Sequence, residues 1–262
     1  MTPSNRIHKL NIGDSDNVFI FIDVLLPTNY KPVRIVYLRL SFLICLLLFF
    51  SSCKKEPSPA GLNEGVIEYQ IIYLQDKVGV YSHSVLPQSM TIQFKKDQMK
   101  TTIEGALGFF RLVNIADLHD LRNITSLKFL DKKYIYLGKK KETACCFGTL
   151  ENMIVEYTGN TKEVAGFLCE EAIASFPDSG AESFSIYYTT DFEIKKPNAT
   201  SPYYQIPGVM MEFNTTLGNA TMRIIAKNFQ SVRVPDKEFS IPDGYRRVSK
   251  KEIENILHAL ME

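Results

Sequence analysis

From Glu64 onward, apolar residues recur at every second position in segment after segment. Turns of two or three residues join many of these segments. In Ile67-Glu68-Tyr69-Gln70-Ile71, the apolar Ile67, Tyr69 and Ile71 share one face while Glu68 and Gln70 share the other. This alternation marks a strand with one buried face. Met90, Ile92 and Phe94 repeat it, Lys96-Asp97 reads as a turn, and Met99 to Glu104 as the return strand. Residues 109–115, 124–130 and 134–137 follow, with Asp131-Lys132-Lys133 as a turn. Residues 153–157, 167–176 and 183–189 come next, then Val209, Met211 and Phe213. Leu217-Gly218-Asn219 is a turn, and Ala220 to Lys227 returns with Met222, Ile224 and Ala226 inward. Connections this short join antiparallel neighbours, because a parallel pair needs a crossover of a dozen residues or more. The period changes only at the end. Ser249-Lys250-Lys251-Glu252 is a capping box, and Ile253, Ile256, Leu257 and Leu260 fall on one helical stripe. The expected fold is mainly antiparallel β (α+β), one domain over residues 64–262, with a carboxy-terminal helix packed on the sheet.

The amino end has a different character. Leu40 to Phe50 reads LSFLICLLLFF, preceded by Arg34 and Arg39 and followed by Ser51-Ser52-Cys53 and Lys54-Lys55. A basic n-region, an apolar h-region and small residues at the end make a secretory signal. The run is shorter than the roughly 20 residues that span a bilayer. The small-small-Cys ending resembles the lipobox of bacterial lipoproteins, in which cleavage leaves the cysteine acylated. Residues 33–52 are thus expected to be a lipoprotein signal peptide, Cys53 the lipidation site, and residues 53–63, with Pro57, Ser58, Pro59 and Gly61, a tether. Residues 1–32 precede the signal with no role in it. We expect them to be a misassigned start, with translation from Val33, or else a disordered extension. Lys54 stands where an inner-membrane retention aspartate would be, which favours the outer membrane. Five basic and three acidic residues precede Cys53, leaving 25 and 26 after it, net −1. No basic face or tail emerges, so nucleic acid is not an expected partner.

Chemistry-bearing motifs are scarce. His83, His119 and His258 have no second His or Cys at metal-ligand spacing, and no nucleophile elbow, P-loop or dinucleotide fingerprint is present. Gly105-Ala106-Leu107-Gly108 is too short and apolar to cradle a phosphate. Glu170 and Glu171 adjoin on a strand and point to opposite faces, so they cannot converge on one glycosidic bond. We therefore expect no catalytic, metal or cofactor site and no enzyme. Four sequons, at Asn123, Asn198, Asn214 and Asn219, read as chance in a β protein rich in Thr and Asn. Cys145, Cys146 and Cys169 would meet an oxidising compartment. On a strand, Cys145 and Cys146 face opposite ways, and only one could meet Cys169. Either Cys169 pairs with Cys145 or Cys146, or all three are buried free thiols.

The second half carries a recognisable order of segments. Gly166-Phe167-Leu168-Cys169-Glu170-Glu171-Ala172 resembles a G-[YF]-x-C-x-x-A element. Ser185 to Asp191, Tyr203 to Glu212 (with Ile206-Pro207-Gly208) and Phe239 to Tyr245 (with Ile241-Pro242) resemble the elements that go with it. Together they resemble a domain of unknown function of Bacteroidota envelope lipoproteins, similar to the GLPGLI group. Ile206-Pro207-Gly208-Val209-Met210-Met211 departs from that name motif on both sides of Pro-Gly. The resemblance covers about residues 64 to 255. It implies a sheet curled into a half-barrel, like the lipoprotein carriers, with helices closing its mouth, and brings no biochemical activity. The expected function is a non-enzymatic, lipid-anchored envelope protein. Its inward Phe, Tyr and Met residues either fill the core or bind a hydrophobic ligand. The alternative is a structural or interaction module holding an envelope protein at an exposed sheet edge.

Overall fold

In the computed structural model, the described residues are 62–75, 86–146, 152–177 and 181–261. The expected extension, signal peptide, lipidation site and most of the tether, together with His83, lie outside them. Among the described residues twelve strands follow in chain order: β1 (Glu64–Tyr73), β2 (Ser89–Lys95), β3 (Gln98–Glu104), β4 (Phe110–Asp117), β5 (Arg122–Phe129), β6 (Lys132–Leu137), β7 (Ile154–Val164), β8 (Phe167–Phe176), β9 (Ala181–Thr189), β10 (Val209–Leu217), β11 (Ala220–Gln230) and β12 (Arg246–Arg247). Helix α1 (Lys250–Met261) follows β12. All strands belong to one sheet, in the order β12-β6-β5-β4-β3-β2-β1-β11-β10-β9-β8-β7. Every pairing is antiparallel except that of β12 with β6.

The sheet is curled and unclosed, as expected. Open sheets of more than about ten strands curl because strand twist accumulates, and bulges sharpen the bend. Register shifts fall between Glu68 and Tyr69, Met210 and Glu212, Tyr157 and Thr161, and Ala174 and Phe176. The inner face carries the residues that the alternation placed inward. Ile67, Ile103, Leu112, Leu127, Met222 and Ile224 are fully buried in one apolar cluster. That cluster is completed by the chain's own later segments. Ile253, Leu257 and Met261 of α1 belong to it, as do Phe192, Tyr203 and Ile206 from the connection between β9 and β10. Phe192 stands among Phe94, Phe167 and Phe229 at centroid distances of 4.8–5.4 Å. On the outer face a smaller cluster forms where Val234 and Phe239 pack on Val113 and Ile115.

The capping box is half made: the Glu252 N–H donates to Ser249 Oγ at 3.2 Å, but the Glu252 carboxylate goes to Arg246 at 2.8 Å. Several strand boundaries differ from expectation, most by one to three residues. The β5–β6 turn is Leu130-Asp131, with Lys132 and Lys133 already in β6. Strand β7 runs on to Val164, seven residues past its expected end.

Candidate functional site

Among the described residues no group of three His, Cys, Asp or Glu side chains could hold a metal ion. His119 lies exposed beside Asp120, and the His258 side chain is exposed on α1. The four sequon asparagines part company: Asn123 and Asn198 are buried, Asn214 is half-buried and Asn219 is exposed.

The most developed polar arrangement lies along β7, β8 and β9. Glu171 accepts four hydrogen bonds. Ser185 Oγ and Tyr187 Oη reach Oε1 at 2.7 and 3.0 Å, while Asn160 Nδ2 and Thr158 Oγ1 reach Oε2 at 2.8 and 2.9 Å. These donors, Ser185 foremost, hold the carboxyl well below its ordinary range, at about 2. The next carboxylate, Glu170, accepts instead from Tyr188 at 2.9 Å. Its separate partner is what strand alternation requires, since Tyr187 and Tyr188 point to opposite faces. Beside this group the Lys162 ammonium sits 2.6 Å from Glu212 and 4.8 Å from the centre of the Tyr187 ring. The lone pairs of Glu171 are taken by donors of this chain, so the network is a staple that holds the bulge of β7 onto the sheet. A carboxyl with a depressed folded pKa stabilises the fold above its unfolded pKa, and the gain is lost as pH falls through the folded value. Against Glu171→Gln, thermal unfolding should show the native protein more stable near neutral pH. The gap should shrink between about pH 4.5 and 2. A gap constant across that window would contradict the staple.

Strand β7 is one edge of the sheet. One flank pairs with β8. The other pairs with no strand among the described residues. Most of its side chains are exposed, Ile154 and Tyr157 each by more than half. At Thr158-Gly159-Asn160 the strand leaves its ladder, with Gly159 at φ 75°, and the Asn160 N–H turns to Thr158 Oγ1. Tyr157 Oη donates to the Gln205 carbonyl at 2.7 Å, and Gln205 Nε2 returns a bond to the Met153 carbonyl at 3.0 Å. These two bonds pin the start of the edge to the β9–β10 connection. The opposite edge is only the two residues of β12.

The expected pairing of Cys169 with Cys145 or Cys146 is overturned. Cys145 is bonded to Cys146, its neighbour in sequence, and Cys169 is a buried free thiol. The expectation assumed a strand through Cys145-Cys146. The pair instead lies in the loop after β6, where Cys146 takes φ 77° and alternation no longer applies. Burial pushes the Cys169 thiol up to about 11, leaving too little thiolate to react. Alkylation without reductant should therefore spare Cys145, Cys146 and Cys169 in the native chain and, of these three, modify only Cys169 after denaturation. Modification of Cys145 or Cys146 would break this assignment.

No family model and no curated protein matches the chain. Among solved structures, it is similar to "Structure of PNGF-II in P21 space group" at 12% identity and TM-score 0.49. That match covers 74% of this chain and 33% of the other. A second match, "Structure of PNGF-II in C2 space group", has 13% identity and TM-score 0.47, and covers 73% and 32%. The chain thus spans about a third of the length of these neighbours, and at such TM-scores the likeness carries no inference about function.

Proposed function

We propose that this chain is a non-enzymatic, lipid-anchored module of the cell envelope that holds a partner protein on the free edge β7. One observation carries the reading: an eleven-residue strand ends the sheet with one flank unpaired among the described residues. Such an edge can take an extended segment as a further strand, the backbone ladder supplying affinity and alternate side chains specificity. Edges open to any strand invite aggregation, and proteins restrain them with charges and bulges. Glu156, Lys162 and Glu163 and the bulge at Gly159 act in that way. They confine docking to two short stretches, Ile154 to Tyr157 and Thr161 to Val164. The anchor in this reading is acylated Cys53 on the tether of residues 53–63, in the outer membrane. The other reading, carriage of a hydrophobic ligand, has less support because α1 and the β9–β10 connection occupy the inner face.

Photoreactive amino acids at Glu156 and at Glu163, in the full chain within native membranes, test the edge. Adducts of one common mass at both positions, with none at Lys140, are expected. Their absence at both, or an equal yield at Lys140, would remove the basis of the proposal.

A further inference from the structure

Leu107, Phe109 and Leu130 stand out among the exposed apolar side chains, and they share one rim of the sheet. Leu107 is the most exposed, at 88%, on a 3-10 turn (Ala106–Gly108), where it takes the left-handed φ of 56°. Phe109 and Leu130 are each at least half exposed. The Leu130 N–H donates to the Phe109 carbonyl at 2.7 Å, so the β3–β4 and β5–β6 connections meet. Leu130 also has a left-handed φ, of 54°. A leucine in that conformation is unusual, and here two present their side chains to solvent at adjoining tips.

A row of cations lies directly behind them. Arg111, Lys128 and Lys133 occupy paired positions on β4, β5 and β6, so their side chains share one face of the sheet. Glu104, 3.8 Å from Arg111, and Asp131, next to Leu130 in the β5–β6 turn, are acidic groups on the same rim. Lys133 also lies 5.8 Å from the Tyr245 ring. Arg111 is two residues from Phe109, and Lys128 two from Leu130, about 7 Å along a strand. A protein at a bilayer surface buries its apolar side chains some 5–10 Å deep at the headgroup boundary, and cations just behind them meet anionic headgroups.

We infer that this rim dips into the surface of an anionic bilayer, with Leu107, Phe109 and Leu130 entering the interface and Arg111, Lys128 and Lys133 at the phosphates. The rim is at the end of the sheet remote from the start of β1, where Glu64 pairs with Lys95 beside the β2–β3 turn. It is therefore a membrane contact distinct from the tether.

The chain contains no tryptophan, so Leu107→Trp installs a single reporter at an exposed position. Full-length chain is mixed with vesicles of phosphatidylcholine containing a minor fraction of phosphatidylglycerol, or of phosphatidylcholine alone. Emission is excited beyond the tyrosine band. With anionic vesicles, Leu107→Trp and a second variant, Phe109→Trp, should shift to the blue and be quenched several-fold by shallow doxyl lipids. Lys140→Trp, at the other end of β6, should do neither. Adding Lys128→Glu and Lys133→Glu to Leu107→Trp should abolish the shift. Adherence through the amino-terminal segment alone would leave Leu107→Trp and Lys140→Trp alike, and that result overturns the inference. So would emission that stays at its position in water, a shift indifferent to the charge reversals, or a shift that grows with protein concentration in the absence of vesicles. The last would mark a protein contact instead.

Discussion

Leu257→Ala is expected to lower the unfolding free energy by about 2–5 kcal/mol, because it deletes buried methylenes and leaves a cavity that rigid neighbours cannot fill. Leu257 is almost wholly buried in the middle of α1, between Ile253 and Met261, and belongs to the same apolar cluster as the strands of β1 to β5 and β8 to β11. The helix is therefore core, and its removal would uncover the inner face of the sheet. Urea unfolding reads the effect: the midpoint falls while the slope stays constant. Asn255→Ala, on the exposed side of the same helix, should change stability by less than about 0.5 kcal/mol. Equal effects at the two positions would mean that α1 is not packed as described.

Asn198→Ala should cost a comparable amount, about 2–4 kcal/mol, by a different mechanism. Asn198 is buried in the β9–β10 connection, and its Nδ2 donates to the carbonyls of Ile206 and Gly208 at 2.9 and 2.8 Å. Truncation leaves two acceptors without their donor in a buried site, and each unsatisfied group costs about 1–3 kcal/mol. The connection it pins supplies Phe192, Tyr203 and Ile206 to the core, and Tyr203 Oη donates to the Asn214 carbonyl. Thermal unfolding should show a midpoint lower by several degrees, at about 2–4 °C per kcal/mol for a domain of this size. An unchanged midpoint would show that the connection is not held through Asn198.

What could be read from the sequence was set by burial. Strands β1, β2 and β8 to β11 bury one face, and their alternation gave their positions, with β8 found at its observed bounds. Strand β7 buries almost nothing beyond Val164. Thr158-Gly159-Asn160 carries no apolar alternation, so its second half, where the candidate docking edge and the Glu171 staple meet, had no periodic signal. Glu171 itself was visible only as half of an acidic pair. Its four donors come from two other strands, and no sequence spacing links Thr158, Asn160, Ser185 and Tyr187 to it. The vicinal Cys145–Cys146 bond was missed for a related reason, because strand logic was applied to a loop. The filling of the inner face was half legible. The apolar stripe of α1 foretold packing on the sheet, but nothing before the fold showed that Phe192, Tyr203 and Ile206 would join it.

That filling of the inner face favours binding at the edge of the sheet over binding in an inner cavity. Hydrogen exchange of the α1 amides, followed in the presence and absence of a long-chain fatty acid, tests it most directly. If Ile253, Leu257 and Met261 are permanent core, the helix interior exchanges only by global unfolding, and its protection is the same with and without fatty acid. If instead α1 loses protection as the fatty acid is added, the helix is a lid, the inner face is a binding site, and the claim of a permanently filled core is wrong.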